Sequence, residues 1–236
     1  MLLITGGCSF TDERINKSWP FFTANALSTN LKNTAIGSSG NGLISKRVIY
    51  EVDNFLKTNN VDDLLVGIMW SGFTRHELYQ DRIVDLGKYN WAKTDTKFVK
   101  NSPGSWIMVN WGWDNHYAKT FYSEFDIIHG LIQTLEHILR TQWFLKLHNV
   151  KYFMTTFTSE TIPVNLQNHP EIKWLYDQIE FDYFLPVLGE YEWCFNKDVP
   201  ISTQTWDGSW KHPDPPHHMD FATNVIVPWV KPRYFS

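Results

Sequence analysis

Short apolar runs and amphipathic stretches take turns along this chain. That alternation predicts an α/β fold in which a central parallel sheet is covered by helices. Residues 2–5 form an apolar run closed by Gly6-Gly7, a buried first strand. Ser18-Trp19-Pro20 reads as a helix start, with Ser18 as cap and Pro20 in the first turn, where a missing N–H costs little. Residues 33–36 predict a second strand, closed by Gly37-Ser38-Ser39-Gly40. Ile44, Val48, Val52 and Phe55 follow at helical spacing, and Asn59-Asn60 ends that helix. Residues 64–70 are the strongest strand signal, continuous, apolar and bounded by polar residues, as expected of a strand buried on both faces. Ile128, Leu131, Leu135, Ile138 and Leu145 lie on one stripe of a long helix, and residues 150–157 make a further strand. Phe221, Ala222, Val225 and Trp229 are in phase on a last helix that ends before Pro232.

Residues 79–120 interrupt this alternation. Trp91, Trp106, Trp111, Trp113 and Tyr117 sit there among Gly, Asn, Asp and Lys. The segment reads as an insertion over one end of the sheet, since a loop this long in a compact domain is usually functional or mobile. Its rings either stack on sugar or form a satellite core, and the satellite core is favoured for most of them. With no repeat and no low-complexity linker, residues 1–236 read as a single domain carrying this insertion.

Composition narrows the function classes. The chain has 236 residues, 43% of them hydrophobic, enough for a sizeable core. A net charge of −4 without a dense Lys/Arg run argues against a nucleic-acid partner. The two cysteines, Cys8 and Cys194, are too few for a disulfide scaffold. No signal peptide is expected, because the first residues lack a basic segment and a long apolar run. No stretch approaches the roughly 20 apolar residues of a membrane span. The location is read as cytoplasmic or left open, and the oligomeric state is not legible.

Two clusters carry the candidate chemistry. Gly6-Gly7-Cys8-Ser9-Phe10-Thr11 places a serine on the turn after the first strand, at the carboxyl end of the sheet, where open α/β folds bind ligands. Cys8 is a rival nucleophile, better read as a small buried hydrophobe. Near the other end stand Asp207-Gly208-Ser209-Trp210-Lys211-His212-Pro213 and then His217-His218. A carboxylate can fix the tautomer of an imidazole, and the imidazole can take a serine proton. Metal binding by these histidines with Asp207, Asp214 and Asp220 is disfavoured, and no cofactor is called for. Asp214-Pro215-Pro216-His217 offers a competing acid and base. Arg75 and Glu77, just past the third strand, either bind a substrate group or pair with each other.

Taken in order, these motifs resemble the SGNH (GDSL-like) hydrolases. Gly7-Cys8-Ser9-Phe10-Thr11 is similar to the first block of that family, with Cys8 in place of its acid. Asn33 to Asn41, including Gly37 and Gly40, is similar to the second. Gly67-Ile68-Met69-Trp70-Ser71-Gly72 stands at the third, with Ser71 where the family has an Asn. His212-Pro213, then His218 and Ala222, is similar to the last, and this placement favours His212 over His217. The resemblance implies a three-layer α/β/α sandwich of flavodoxin-like type. It also implies a serine esterase with a catalytic triad of Ser9, His212 and Asp207. The oxyanion hole would use the N–H groups of Ser9 and of Gly37 or Gly40, with Asn41 or Ser71 as side-chain donor, each donor worth about 3 kcal/mol. The expected substrate is a small-molecule or glycan ester, such as an acylated carbohydrate or lipid. The alternative is a weak or inactive module of this fold that binds a glycan or a protein.

Overall fold

In a computed structural model, which describes residues 1–14, 16–82, 84–92, 104–166, 168–187, 189–195 and 212–235, the apolar run Leu64–Trp70 is a strand with all seven residues buried. This strand, β3, lies inside a parallel sheet with β1 (Leu2–Gly6), β2 (Asn30–Asn33) and β6 (Lys151–Thr156), in the order β2-β1-β3-β6. Alternate residues of β3 face opposite sides. Leu64, Val66, Ile68 and Trp70 pack with Ile44, Val48 and Val52 of α2 (Asn41–Leu56) and with Leu131, Leu135 and Ile138 of α4 (Ile127–Leu147). Leu65 and Met69 pack with Trp19, Ala24 and Leu27 of α1 (Trp19–Leu27) and with a C-terminal helical run. A strand with helices on both faces has no solvent side, which explains its unbroken apolar sequence.

The C-terminal run differs from the sequence expectation. It is α7 (Pro215–Phe221), a π-helical turn (Ala222–Ile226) and α8 (Val227–Tyr234). Pro228 has no N–H to continue the α ladder, and the π turn ends two residues before it. The helix also runs through Pro232 rather than ending before it. Only one bond is lost there, in the last turn, while Trp229 and Val230 stay anchored in the core. Ser18 does precede α1, but its hydroxyl donates to Thr11 O (2.8 Å) and does not cap the helix.

The second strand falls three residues earlier than expected. Asn30–Asn33 is an edge strand of mostly polar residues, so it carries no apolar signal. Thr34 instead closes the strand, its N–H and hydroxyl both donating to Thr5 O at 2.8 Å.

Much of 79–120 is ordered structure. β4 (Arg75–Gln80) and β5 (Ser105–Asn110) form an antiparallel pair, followed by α3 (His116–Tyr122). Val84, Leu86, Ile107, Met108, Val109 and Ala118 make a third core with Ile36, and Tyr89, Trp113 and Tyr117 pack against it. Trp111 is largely exposed, at 56%, whereas Trp106 and Trp113 are partly buried.

His76 of β4 is buried against Phe121, Tyr122 and Phe125, with ring centroids at 4.8, 6.2 and 5.3 Å. Burial lowers its pKa from 6.5 to about 4. The unfolded chain binds that proton at higher pH than the folded chain does. Stability is therefore lost as pH falls from 6.5 towards 4, by on the order of 3 kcal/mol for this group. Glu77, whose carboxyl burial pushes up against the pull of Lys46, acts in the opposite sense. A His76→Phe variant should accordingly lose less stability than wild type between neutral pH and pH 4. Urea unfolding of both proteins across that range checks this, and parallel curves would show that His76 contributes nothing.

Candidate active site

Ser9 stands three residues past β1, half-buried at the carboxyl edge of the sheet. The N–H groups of Thr11 and Asp12 both donate to Cys8 O at 3.0 Å, and this turn fixes the backbone around Ser9. Cys8 itself is fully buried in the core. His212 stands three residues before α7, and its Nε2 lies 2.7 Å from Ser9 Oγ. Phe10 flanks the imidazole, with ring centroids 5.1 Å apart. Asp207 lies outside the described residues.

The competing imidazole turns elsewhere. His217 Nδ1 accepts the Asp214 N–H (3.3 Å) in the first turn of α7. His217 and Asp214 thus close a helix start, and among the described residues the imidazole bonded to Ser9 is that of His212. His218 is buried and bonded through Nδ1 to Glu190 Oε1 of α6 (Glu190–Phe195) at 2.5 Å. Burial pushes the Glu190 carboxyl up, against the pull of the His218 imidazole. Glu190 carries no sequence signal, because only the packing of α6 on α7 gives it a partner.

Two expected oxyanion donors are already engaged. The Gly37 N–H donates to Asp12 Oδ2 at 2.7 Å. Asp12 is 3% exposed and also receives the Arg14 N–H and guanidinium. Its carboxylate ties the loop after β2 to the Ser9 turn, and Asn33 Nδ2 adds a bond to Thr11 O (2.6 Å). The Asn41 amide is likewise committed. Its Oδ1 accepts the Ser71 N–H (2.7 Å), and its Nδ2 donates to Ser71 O (3.0 Å) and Thr134 Oγ1 (3.1 Å). Both amide hydrogens are used, so the Gly37 N–H and the Asn41 side chain act as braces in this structure.

Other donors remain. The N–H groups of Ser9 and Gly40 donate to no acceptor among the described residues. Gly40 precedes α2, and a Cβ there would lie 2.3 Å from Arg75 O, so only glycine lets β4 approach the helix start. Ser71 is fully buried, and its Oγ accepts from Arg75 Nη1 at 3.3 Å.

The expected Arg75–Glu77 pair does not form. Glu77 reaches across to α2, where Lys46 Nζ donates to its Oε1 at 3.1 Å. Gly42 leaves the room, since a Cβ there would lie 2.1 Å from Glu77 Oε1. Arg75 instead lies over the Phe157 ring, 5.2 Å from its centroid. Among the described residues no group of three His, Cys, Asp or Glu side chains is arranged to hold a metal ion. Nor is any helix among them long and apolar enough to cross a membrane.

The bonding of Asn41 separates bracing from catalysis. Asn41→Ala strips partners from the buried backbone of Ser71 and should destabilise the fold by about 2–4 kcal/mol. Chemical denaturation reads this directly. A variant with wild-type stability would mean that the amide braces nothing.

Compared with known proteins, the chain matches no family model, and no curated protein resembles it at a significant level.

Proposed function

We propose that this chain is a serine ester hydrolase of the SGNH type. The observation that carries the reading is the 2.7 Å contact between Ser9 Oγ and His212 Nε2 at the carboxyl edge of a parallel sheet. Helices on both faces of that sheet suit the three-layer α/β/α, flavodoxin-like arrangement of such enzymes. In the proposed reaction Ser9 Oγ attacks the ester carbonyl carbon while His212 Nε2 takes the hydroxyl proton. The same proton passes to the departing alcohol, leaving an acyl-serine. Water then attacks the acyl carbon with His212 again as base, the proton returns from His212 to Ser9 Oγ, and the carboxylic acid leaves. Asp207 is assigned to orient the imidazole. The oxyanion is assigned to the N–H groups of Ser9 and Gly40 with the Ser71 hydroxyl.

A second reading is a module of the same fold that binds a glycan or protein and turns over little. The engagement of Gly37 and Asn41 in bracing favours it, because each lost donor weakens oxyanion binding. Hydrolysis of short-chain aryl esters separates the two. Under the hydrolase reading, Ser9→Ala and His212→Ala should each lower kcat by about a hundredfold or more. The wild-type rate should also fall in acid, as protonated His212 can no longer accept the serine proton. Turnover that survives both substitutions unchanged would overturn the mechanism. Absence of turnover at every pH would favour the binding module.

A further inference from the structure

The parallel register of β3 and β6 fixes which residues stand together at the carboxyl edge of the sheet. The ladder between β1 and β3 ends at Gly6 and Ile68, and the turn that carries Ser9 leaves β1 on the same edge of the sheet where Ser71 follows β3. Trp70 pairs with Thr156 of β6, and the Phe157 N–H donates to Trp70 O, which puts Phe157 level with Ser71 on the other side. Ser71 and Phe157 therefore stand side by side at the rim of the sheet. Arg75 sits across the last two, bonded to Ser71 Oγ and lying over the Phe157 ring. Phe157 touches Phe10 (5.3 Å between centroids), and Phe10 touches His212. The guanidinium thus shares a rim with the proposed nucleophile and base.

Its charge is not answered there. Among the described residues Arg75 forms no ion pair, and Ser71 Oγ is its one hydrogen-bond acceptor for a side-chain nitrogen. Glu77, the nearest acid along β4, is held by Lys46. Tyr122 also faces Arg75, but burial pushes its phenol up, so it stays neutral. A half-buried guanidinium without a carboxylate is costly to keep. Its planar fork matches a carboxylate or phosphate held by two parallel bonds.

We infer that Arg75 binds an anionic group, a carboxylate or a phosphate, carried by the substrate near its ester bond. The inference rests on the hydrolase reading for the reaction, while its charge preference can be read without turnover. Two pairs of esters test it and locate the anion. Mono-4-nitrophenyl glutarate against 4-nitrophenyl butyrate places the charge on the acyl side. 4-Butyryloxybenzoate against phenyl butyrate places it on the alcohol side. In at least one pair the wild type should prefer the anionic ester by about tenfold or more in kcat/KM. Added salt should shrink that preference. Arg75→Gln should abolish it, and Arg75→Lys should retain part of it. The salt series on wild type and the Lys variant give the same readout if the Gln variant fails to fold.

Equal turnover of charged and neutral members, or a ratio unchanged in Arg75→Gln, would overturn the inference and leave the hydrolase reading standing. If no ester is hydrolysed, the hydrolase reading fails and calorimetry decides the rest. Glutarate should then bind wild type and not Arg75→Gln, while glutaramide binds neither as tightly. Failure of glutarate to bind wild type would overturn the inference.

Discussion

One buried amide holds the carboxyl edge of the sheet together. Ser71 lies just past the last ladder pair of β3, where β1 no longer supplies a partner. A buried backbone N–H and C=O must still be bonded. Asn41 supplies both bonds from the first turn of α2, acting as a neighbouring strand would. Its third bond, to Thr134, brings α4 into the same knot. With α2 fixed in this way, Gly40 is placed at the rim and the backbone of Arg75 packs onto its Cα. The start of β4, and so the guanidinium of Arg75, inherits its position from that contact.

The loops after β1 and β2 obey a related constraint. Asp12 is buried and must satisfy its carboxylate, which it does with the Gly37 N–H and the Arg14 side chain. The bond makes the Ser9 turn and the neighbouring loop one unit. Rigidity is gained at the cost of a donor, since a backbone N–H locked onto a carboxylate cannot also meet a developing oxyanion. The proposed site accordingly leans on Ser9 N–H, Gly40 N–H and the Ser71 hydroxyl. Each of these comes from a segment that Asn41 or Asp12 already holds in place.

These two braces also mark where the sequence stops being legible. β3 stands out because both its faces are buried, so composition alone outlines it. The long helices α2 and α4 stand out through one apolar stripe each. β2 does not, because an edge strand such as Asn-Leu-Lys-Asn is held by backbone bonds that any residues can make. The β4–β5 pair is concealed for the same reason, and its partners are separated by a long connection. At the site, Ser9 and His212 are singled out by motif order, because each stands next to a strong element. Asp12 and Glu190 are not, because a buried carboxylate acquires its role from a partner distant in sequence. Arg75 and Glu77 look paired, since residues two apart share a face of a strand. Lys46 on α2 reaches Glu77 instead, a choice that only the packing of helix on strand decides.

The meeting of Ser9 and His212 across 203 residues follows from where each side chain is rooted. Ser9 follows a strand with neighbours on both sides, and His212 immediately precedes the buried Pro213 and the first turn of α7. That helix is locked to α6 twice, by His218 with Glu190 and by Asp220 with the Trp193 indole (2.7 Å). It leads into the π turn and α8, whose Val225, Ile226 and Trp229 fill the core beneath Phe153 and Leu3. The imidazole is thus positioned by a buried helical run on one face of the sheet, and the hydroxyl by the end of a strand within it. A contact set in this way changes little when surface loops move. It is sensitive to core substitutions under α7 and α8, which would shift the base away from the hydroxyl without touching either residue.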